Sequence, residues 1–309
     1  MSFSAAATLP QVAPRWNLVR VWIRFSSILR QHGAAVVLRH CVYRLTGRTS
    51  HNQAHWPSWD ERLQAIGQLL SHEQPSFVGL QHIAYGRAIN SLKSAPIHRI
   101  LGLAPNFGAC GTHASMLGAA DGLALLYRID DWKVISSGSE AFRGKYHRRS
   151  GSYSRRFLWA ILECRATEVR LLIYSARLRD GDNESFRVKS AAQLLAHAER
   201  HQDLVSATIL CVDLNSSEAS LSALALKRTA AGGFALRDAF SEFAPHLNGK
   251  VRSQHKYVTL ENVAGNARND GIFVDGWLAV LDARLVHNTF CGVFPSSHYP
   301  VIADLGLAK

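Results

Sequence analysis

Seven short runs in this chain are apolar at nearly every position and carry or directly adjoin a polar or charged side chain at one end. They are FVGLQH at 77–82, LALLYR at 123–128, FLWAILEC at 157–164, VRLLIYSARL at 169–178, SATILCVDL at 206–214, GIFV at 271–274 and HYPVIADLGL at 298–307. A strand with one wet face alternates apolar and polar residues, whereas a run that is apolar throughout must be covered on both faces. Several of these runs follow one another directly, as 157–164 and 169–178 do, without an intervening helix. That order predicts a layered α/β sandwich and argues against a doubly wound parallel sheet.

Further strands are expected from AAVVLRHCVYRL at 34–45 and WKVIS at 132–136. Helical apolar spacing appears in DERLQAIGQLL, which starts on Asp60 and is halted by Pro75, and again in SAAQLLAHAERH at 190–201 and LSALALKRTA at 221–230. The stretch from Phe107 to Gly122 reads as a glycine-rich connection. With 309 residues, 47% of them apolar, the chain can bury one large core or two small ones.

The first fifty-nine residues hold no Asp or Glu, and arginine recurs through them. In NLVRVWIRFSSILRQHG, residues 17–33, Arg20, Arg24, Ser27 and Arg30 share one helical face while Val21, Trp22, Phe25, Ile28 and Leu29 fill much of the other. Three roles fit this pattern: peripheral contact with a membrane surface, an organellar transit segment, or a cap packed on the domain. The expected division is a basic amphipathic extension at 1–33 and a globular domain at 34–309. Five cysteines without CxxC spacing point to a reducing compartment, cytoplasmic or organellar, and no apolar run is long enough to cross a bilayer. The sequence carries no sign of an oligomeric state. The formal charge of +12 favours an anionic partner such as nucleic acid, a phosphorylated metabolite or an acidic membrane.

Candidate site residues are the polar groups that break apolar strands: Gln81 and His82, Arg177, Asp213 and Asn215, Asp270, and His298. In CVDLN a carboxylate and a carboxamide two positions apart are expected on the same side of a strand, where they suit a phosphate oxygen or a water. NSSE after Asp213 is also turn chemistry, and a lone histidine beside a strand is commonly structural. RGKYHRRSGSYSRR at 143–156 interleaves basic and aromatic groups, so Arg148, Arg149, Arg155 and Tyr153 are candidate substrate contacts. A solvated loop is the competing reading.

Taken in order, WPSWDERLQAI, FVGLQHI, DGLALLYR, RRFLWAIL, YSARL, CVDLN, NDGIFV and PSSHYPVIADL resemble the endonuclease/exonuclease/phosphatase superfamily with its DNase-I-like fold. The resemblance spans about Ala34 to Leu307. It implies a four-layered α/β/β/α sandwich of two packed mixed sheets flanked by helices, with a divalent-metal phosphoesterase site at the sheet rims. The substrates it implies are nucleic acid, phosphoinositides, sphingomyelin or small phosphates. Asp213 and Asn215 match the family's water-aligning aspartate and oxygen-holding asparagine, and Asp270 and His298 match its paired carboxylate and imidazole.

The metal positions differ. His82 stands where the family has its glutamate magnesium ligand, Cys41 where it has an asparagine, Ser297 where it has an aspartate, and Arg177 where it has a histidine. Magnesium prefers an octahedral shell of oxygen and binds neutral nitrogen poorly. Three readings follow. One is a pseudoenzyme that binds a phosphate-rich ligand or a partner protein, with no metal or a weakly held one. A second is a phosphoesterase in which Arg177 supplies the charge stabilisation. The third is a site exchanged to zinc or another transition ion such as manganese, held by Cys41, His82 and one carboxylate.

Overall fold

Two six-stranded sheets account for the apolar runs. The structure is a computed structural model that describes residues 37–44, 57–83, 96–112, 122–143, 156–181, 183–227, 233–255 and 267–307. The first sheet holds β1 (Val37–Arg44), β2 (Phe77–Ile83), β3 (Phe107–Thr112), β4 (Gly122–Arg128), β11 (Leu278–Leu285) and β12 (Val301–Leu307), in the order β11-β12-β1-β2-β4-β3. The second holds β5 (Trp132–Ala141), β6 (Arg156–Cys164), β7 (Arg170–Arg177), β8 (Ala207–Asp213), β9 (Arg237–Asp238) and β10 (Asp270–Val274), in the order β5-β6-β7-β8-β10-β9. Each sheet is mixed: β1 with β2 and β7 with β8 are parallel, and the other pairings are antiparallel.

Alternate side chains of β2, β4, β6, β7, β8, β10 and β12 enter different cores, which explains the lack of polar alternation. Phe77, Leu125, Ile173, Ile209, Ile272 and Leu305 meet between the sheets. On the far side of the first sheet, Val78, Leu80 and Ile302 pack against α1 (Trp59–Glu73) and α2 (Pro96–Leu103) through Leu63, Ile66, Leu70, Ile97 and Ile100. Beyond the second sheet, Leu172, Leu210 and Phe273 pack against α3 (Glu184–Glu199) and α4 (Leu221–Lys227) through Phe186, Leu194, Ala223 and Leu226. The result is the four-layered α/β/β/α sandwich, each fully buried large side chain contributing roughly 1.5–3 kcal/mol.

The ends of α1 show how the sequence sets an element. Ser58 accepts from the Glu61 amide at 3.2 Å while the Glu61 carboxylate accepts from the Ser58 amide at 2.7 Å, a reciprocal capping box. The helix stops at Gln74, which takes a left-handed φ of 46° and returns its N–H to the Leu70 carbonyl just before Pro75.

Four elements depart from expectation. Phe107–Thr112 is the edge strand β3, its glycines tolerated because a single partner, β4, supplies the ladder. Leu278–Leu285 is the opposite edge strand β11, and Pro96–Leu103 is a helix. The helix expected from Ser190 begins six residues earlier, at Glu184. The extension 1–33 and residues 144–155 of the basic loop lie outside the described residues.

Candidate functional site

Strands β7, β8 and β10 lie side by side, with Arg177 opposite Asp213 and Asp213 opposite Asp270. Opposed residues share a face and stand about 4.8 Å apart. Ile173 on β7, Cys211 on β8 and Ile272 on β10, each an even number of positions from a member of this row, enter the core between the sheets. The three charged side chains therefore stand abreast at the rim of the second sheet, on the side facing the first.

Charge decides how they pair. Arg177 Nε donates to Asp213 Oδ2 at 3.0 Å, with the two side chains 6% and 0% exposed, and Arg177 Nη2 lies 3.5 Å from Asp180 Oδ2. Asp213 Oδ1 accepts from the Asn215 amide at 3.0 Å. On the other flank, Asp270 Oδ2 meets His298 Nδ1 at 2.6 Å, both fully buried, so with Asp270 ionised the imidazole donates from Nδ1. His298 is delivered by an extended segment that pairs with residues 253–255: Gln254 bridges His298, His255 N–H donates to the Ser297 carbonyl, and Tyr299 N–H to that of Ser253. Burial lowers the His255 imidazole to about 4, against a bond with the Ser296 backbone, so it is neutral at pH 7.

Asn215 differs from its expected placement. Strand β8 ends at Asp213, and Asn215 sits in a left-handed turn at φ 49°, so the two side chains do not share a strand face. Its backbone caps the Asp213 carboxylate, and its Nδ2 donates to the Leu178 carbonyl at 2.6 Å, tying the chain after β8 to the chain after β7.

Beneath the charged row lies a polar clasp between the sheets. Gln81 Nε2 donates to Ser175 Oγ at 3.0 Å and to the Cys211 carbonyl at 3.2 Å, while Ser175 Oγ donates to the Leu80 carbonyl at 3.0 Å. Gln81 and Ser175 are both fully buried. Ser175, Asp180 and His255 were not singled out in the sequence. Ser175 had a legible signal, a lone hydroxyl two positions before Arg177 in an apolar strand.

The metal positions read from the family resemblance are divided. Cys41 lies in β1 and His82 in β2, where the register with β4 shifts between Gln81 and Ile83. The side chains of both lie outside the described residues, as do Arg148, Arg149, Tyr153 and Arg155. Ser297 is fully buried. Among the described residues no three His, Cys, Asp or Glu side chains are grouped so as to hold a metal ion. Among the described residues, the Asp213 carboxylate is held by a guanidinium, an arrangement that does not fit magnesium at that oxygen.

No protein-family model matches the sequence, and a search of curated proteins finds no match. Solved structures do match. An endonuclease/exonuclease/phosphatase family protein from Bacteroides thetaiotaomicron is 17% identical over 89% of this chain and 99% of its own, with a TM-score of 0.67. The mannosyl-6-phosphatase of the same organism is 16% identical over 83% and 95%, with a TM-score of 0.62. TDP2 from D. rerio, complexed with a single-strand DNA product, is 15% identical over 82% and 95%, with a TM-score of 0.60. At such identities the likeness establishes the fold, and the resemblance read in the sequence holds at that level.

Proposed function

We propose that this chain, which has the fold of the endonuclease/exonuclease/phosphatase structures, binds a phosphate-bearing ligand at the Arg177 rim without magnesium-dependent hydrolysis. The ion pair between Arg177 and Asp213 is the observation that supports this most. A carboxylate that aligns an attacking water must aim a lone pair at it. Asp213 is instead wholly buried, and each of its oxygens already accepts a hydrogen bond, from Arg177 and from the Asn215 backbone N–H, so its remaining lone pairs face protein rather than solvent. Removing one partner of a buried ion pair costs about 3–5 kcal/mol. Freeing the carboxylate at that cost would slow a reaction by about 10²- to 10⁴-fold. The guanidinium remains suited to phosphate, whose oxygens it can meet in a fork, and the formal charge of +12 favours an anion at longer range. Among the similar structures, a mannosyl-6-phosphatase and a TDP2 holding a DNA product support a phosphate-bearing ligand over other anions.

A second reading has its own support. The Asp270 and His298 pair at 2.6 Å is the arrangement expected of a working carboxylate and imidazole, so a phosphoesterase that uses Arg177 in place of metal charge is the alternative.

One set of measurements separates them. Hydrolysis of a phosphodiester, a phosphomonoester and plasmid DNA is followed with magnesium, manganese, zinc or chelator, beside calorimetric binding of inorganic phosphate, pyrophosphate and a single-stranded oligonucleotide. The expected result is binding that Arg177→Ala abolishes, with no turnover. Turnover that survives chelator and disappears in Arg177→Ala supports the second reading. Zinc-dependent turnover supports the exchanged site of Cys41 and His82, and magnesium-dependent turnover by the unmodified chain refutes the proposal. Combining His82→Glu, Ser297→Asp and Arg177→His is expected to create magnesium-dependent hydrolysis.

A further inference from the structure

The charged row at the rim of the second sheet does not end at Arg177. Phe157 of β6 lies opposite Ala176 of β7, so one step along this antiparallel ladder Arg156 comes level with Arg177, about 5 Å away at Cα. Leu158 and Ala160 of β6 enter the core between the sheets, and Arg156 shares their face by the two-residue period of a strand. Four side chains on neighbouring strands therefore follow one another on the side facing the first sheet: Arg156, Arg177, Asp213 and Asp270.

Their partners leave the charge of this row uneven. Arg177 is matched by the buried carboxylate of Asp213, and Asp270 by the imidazole of His298. Arg156 meets neutral acceptors: its Nε and Nη2 lie 3.3 and 3.0 Å from Ser139 Oγ, and Nη2 donates to the Ser139 carbonyl at 2.8 Å. Among the described residues no carboxylate pairs with it, and its Nη1 end makes no bond. Glu140, the residue after Ser139 on β5, faces the other side of the sheet, where its carboxylate lies 3.3 Å from His197 Nε2. Arg156 is half-buried, whereas Arg177 and Asp213 beside it are buried.

We infer that Arg156 is a second phosphoryl subsite one strand from Arg177, so that this rim takes a ligand bearing two phosphoryl groups in preference to a lone phosphate. The inference rests on the phosphate reading of the Arg177 rim and names the ligand class for it. An ion pair is neutral as a unit, so the surplus positive charge of the row is that of Arg156. A lone phosphate at Arg177 leaves that cation unmatched. A second phosphoryl group on the same ligand meets it at high effective concentration, and the Nη1 end of a guanidinium is suited to phosphoryl oxygens. A diphosphate and two consecutive phosphates of a nucleic-acid strand share this chemistry.

The test is calorimetric binding of inorganic phosphate, inorganic pyrophosphate and the 5′-phosphorylated thymidine dinucleotide to the full chain, to Arg156→Gln and to Arg165→Gln. Arg165 is exposed and follows β6 at its other end, so its variant measures the effect of overall charge alone. One of the two-phosphate probes is expected to bind about tenfold or more tighter than phosphate, as one added charge-assisted contact allows. Arg156→Gln is expected to remove that preference and to keep phosphate affinity within about twofold, which also verifies that the rim is intact. Arg165→Gln is expected to change neither. Preference for pyrophosphate identifies a diphosphate, and preference for the dinucleotide identifies consecutive phosphates of a strand. Equal affinity for all three probes, a preference that Arg156→Gln leaves in place, one that Arg165→Gln removes as fully, or loss of phosphate binding itself in Arg156→Gln overturns the second subsite while binding by the unmodified chain still supports the first. If the unmodified chain binds none of the three, the phosphate reading falls and this inference falls with it.

Discussion

Replacing Arg177 with alanine takes a guanidinium away from a carboxylate that is wholly buried and has a second carboxylate, Asp270, as its strand neighbour. Asp213 would then be left as a charge without its cation in a medium that solvates charge poorly, a situation that costs about 3–5 kcal/mol. Its bond from the Asn215 amide persists, which places the expected loss toward the lower end, about 3 kcal/mol. In urea titrations this appears as a lower midpoint at unchanged slope. Asp213→Asn alone is expected to lose less, because the neutral amide still accepts from Arg177. Combined with Arg177→Ala it should restore much of the single-variant loss, leaving a coupling of about 2 kcal/mol or more in the double-mutant cycle. A cycle that closes near zero would mean that Arg177 does not neutralise Asp213, and the main support for the proposed absence of magnesium-dependent hydrolysis would go with it.

Stability against pH carries opposing contributions. Burial raises the Asp275 carboxyl to about 6 from 3.8, so its share of stability is fully present below about 4 and is lost as pH rises through about 6. Burial lowers the His197 and His255 imidazoles from 6.5 to about 4, so theirs is present above about 6.5 and is lost as pH falls through about 4. Two lowered imidazoles oppose one raised carboxyl, so urea midpoints are expected to fall on acidification from pH 6.5 to 4. His197→Phe should flatten that fall and Asp275→Asn should steepen it, and a midpoint that rises over the same window would contradict the assignment. Gln81→Leu removes both donated bonds of the inter-sheet clasp and is expected to cost about 2 kcal/mol in the same titration, with a loss under 0.5 kcal/mol refuting a structural role.

The layered architecture was legible because runs such as ATILCVD could be buried only if both faces were covered, and they are. The edge strands were harder to read. FGACGT resembles a loop because glycine and small residues can complete one ladder without filling a core on each side, and LAVLDARL is half-exposed with a bulge that breaks its period. The helix α3 begins before its apolar spacing becomes regular, with Phe186 as an early anchor. At the site, Asp213, Asp270, Arg177 and His298 could be named from their positions near strand ends. That Arg177 neutralises Asp213 could not, because it depends on the parallel register of two strands whose paired residues lie 36 positions apart. The turn at Asn215 was hidden for a local reason: its left-handed backbone ends the strand on which the expected shared face relied.

The Gln81 clasp has a consequence for the alignment of the two halves of the molecule. Hydrocarbon faces grip without direction, so a shift of one sheet over the other by a residue pair, about 7 Å, would keep most of the oily contact. It would also strand an amide, a hydroxyl and two carbonyls in a dry interior. Those few polar atoms act as a detent, selecting one sliding position of the layers and so holding the β2 rim opposite the guanidinium and carboxylates of its neighbour.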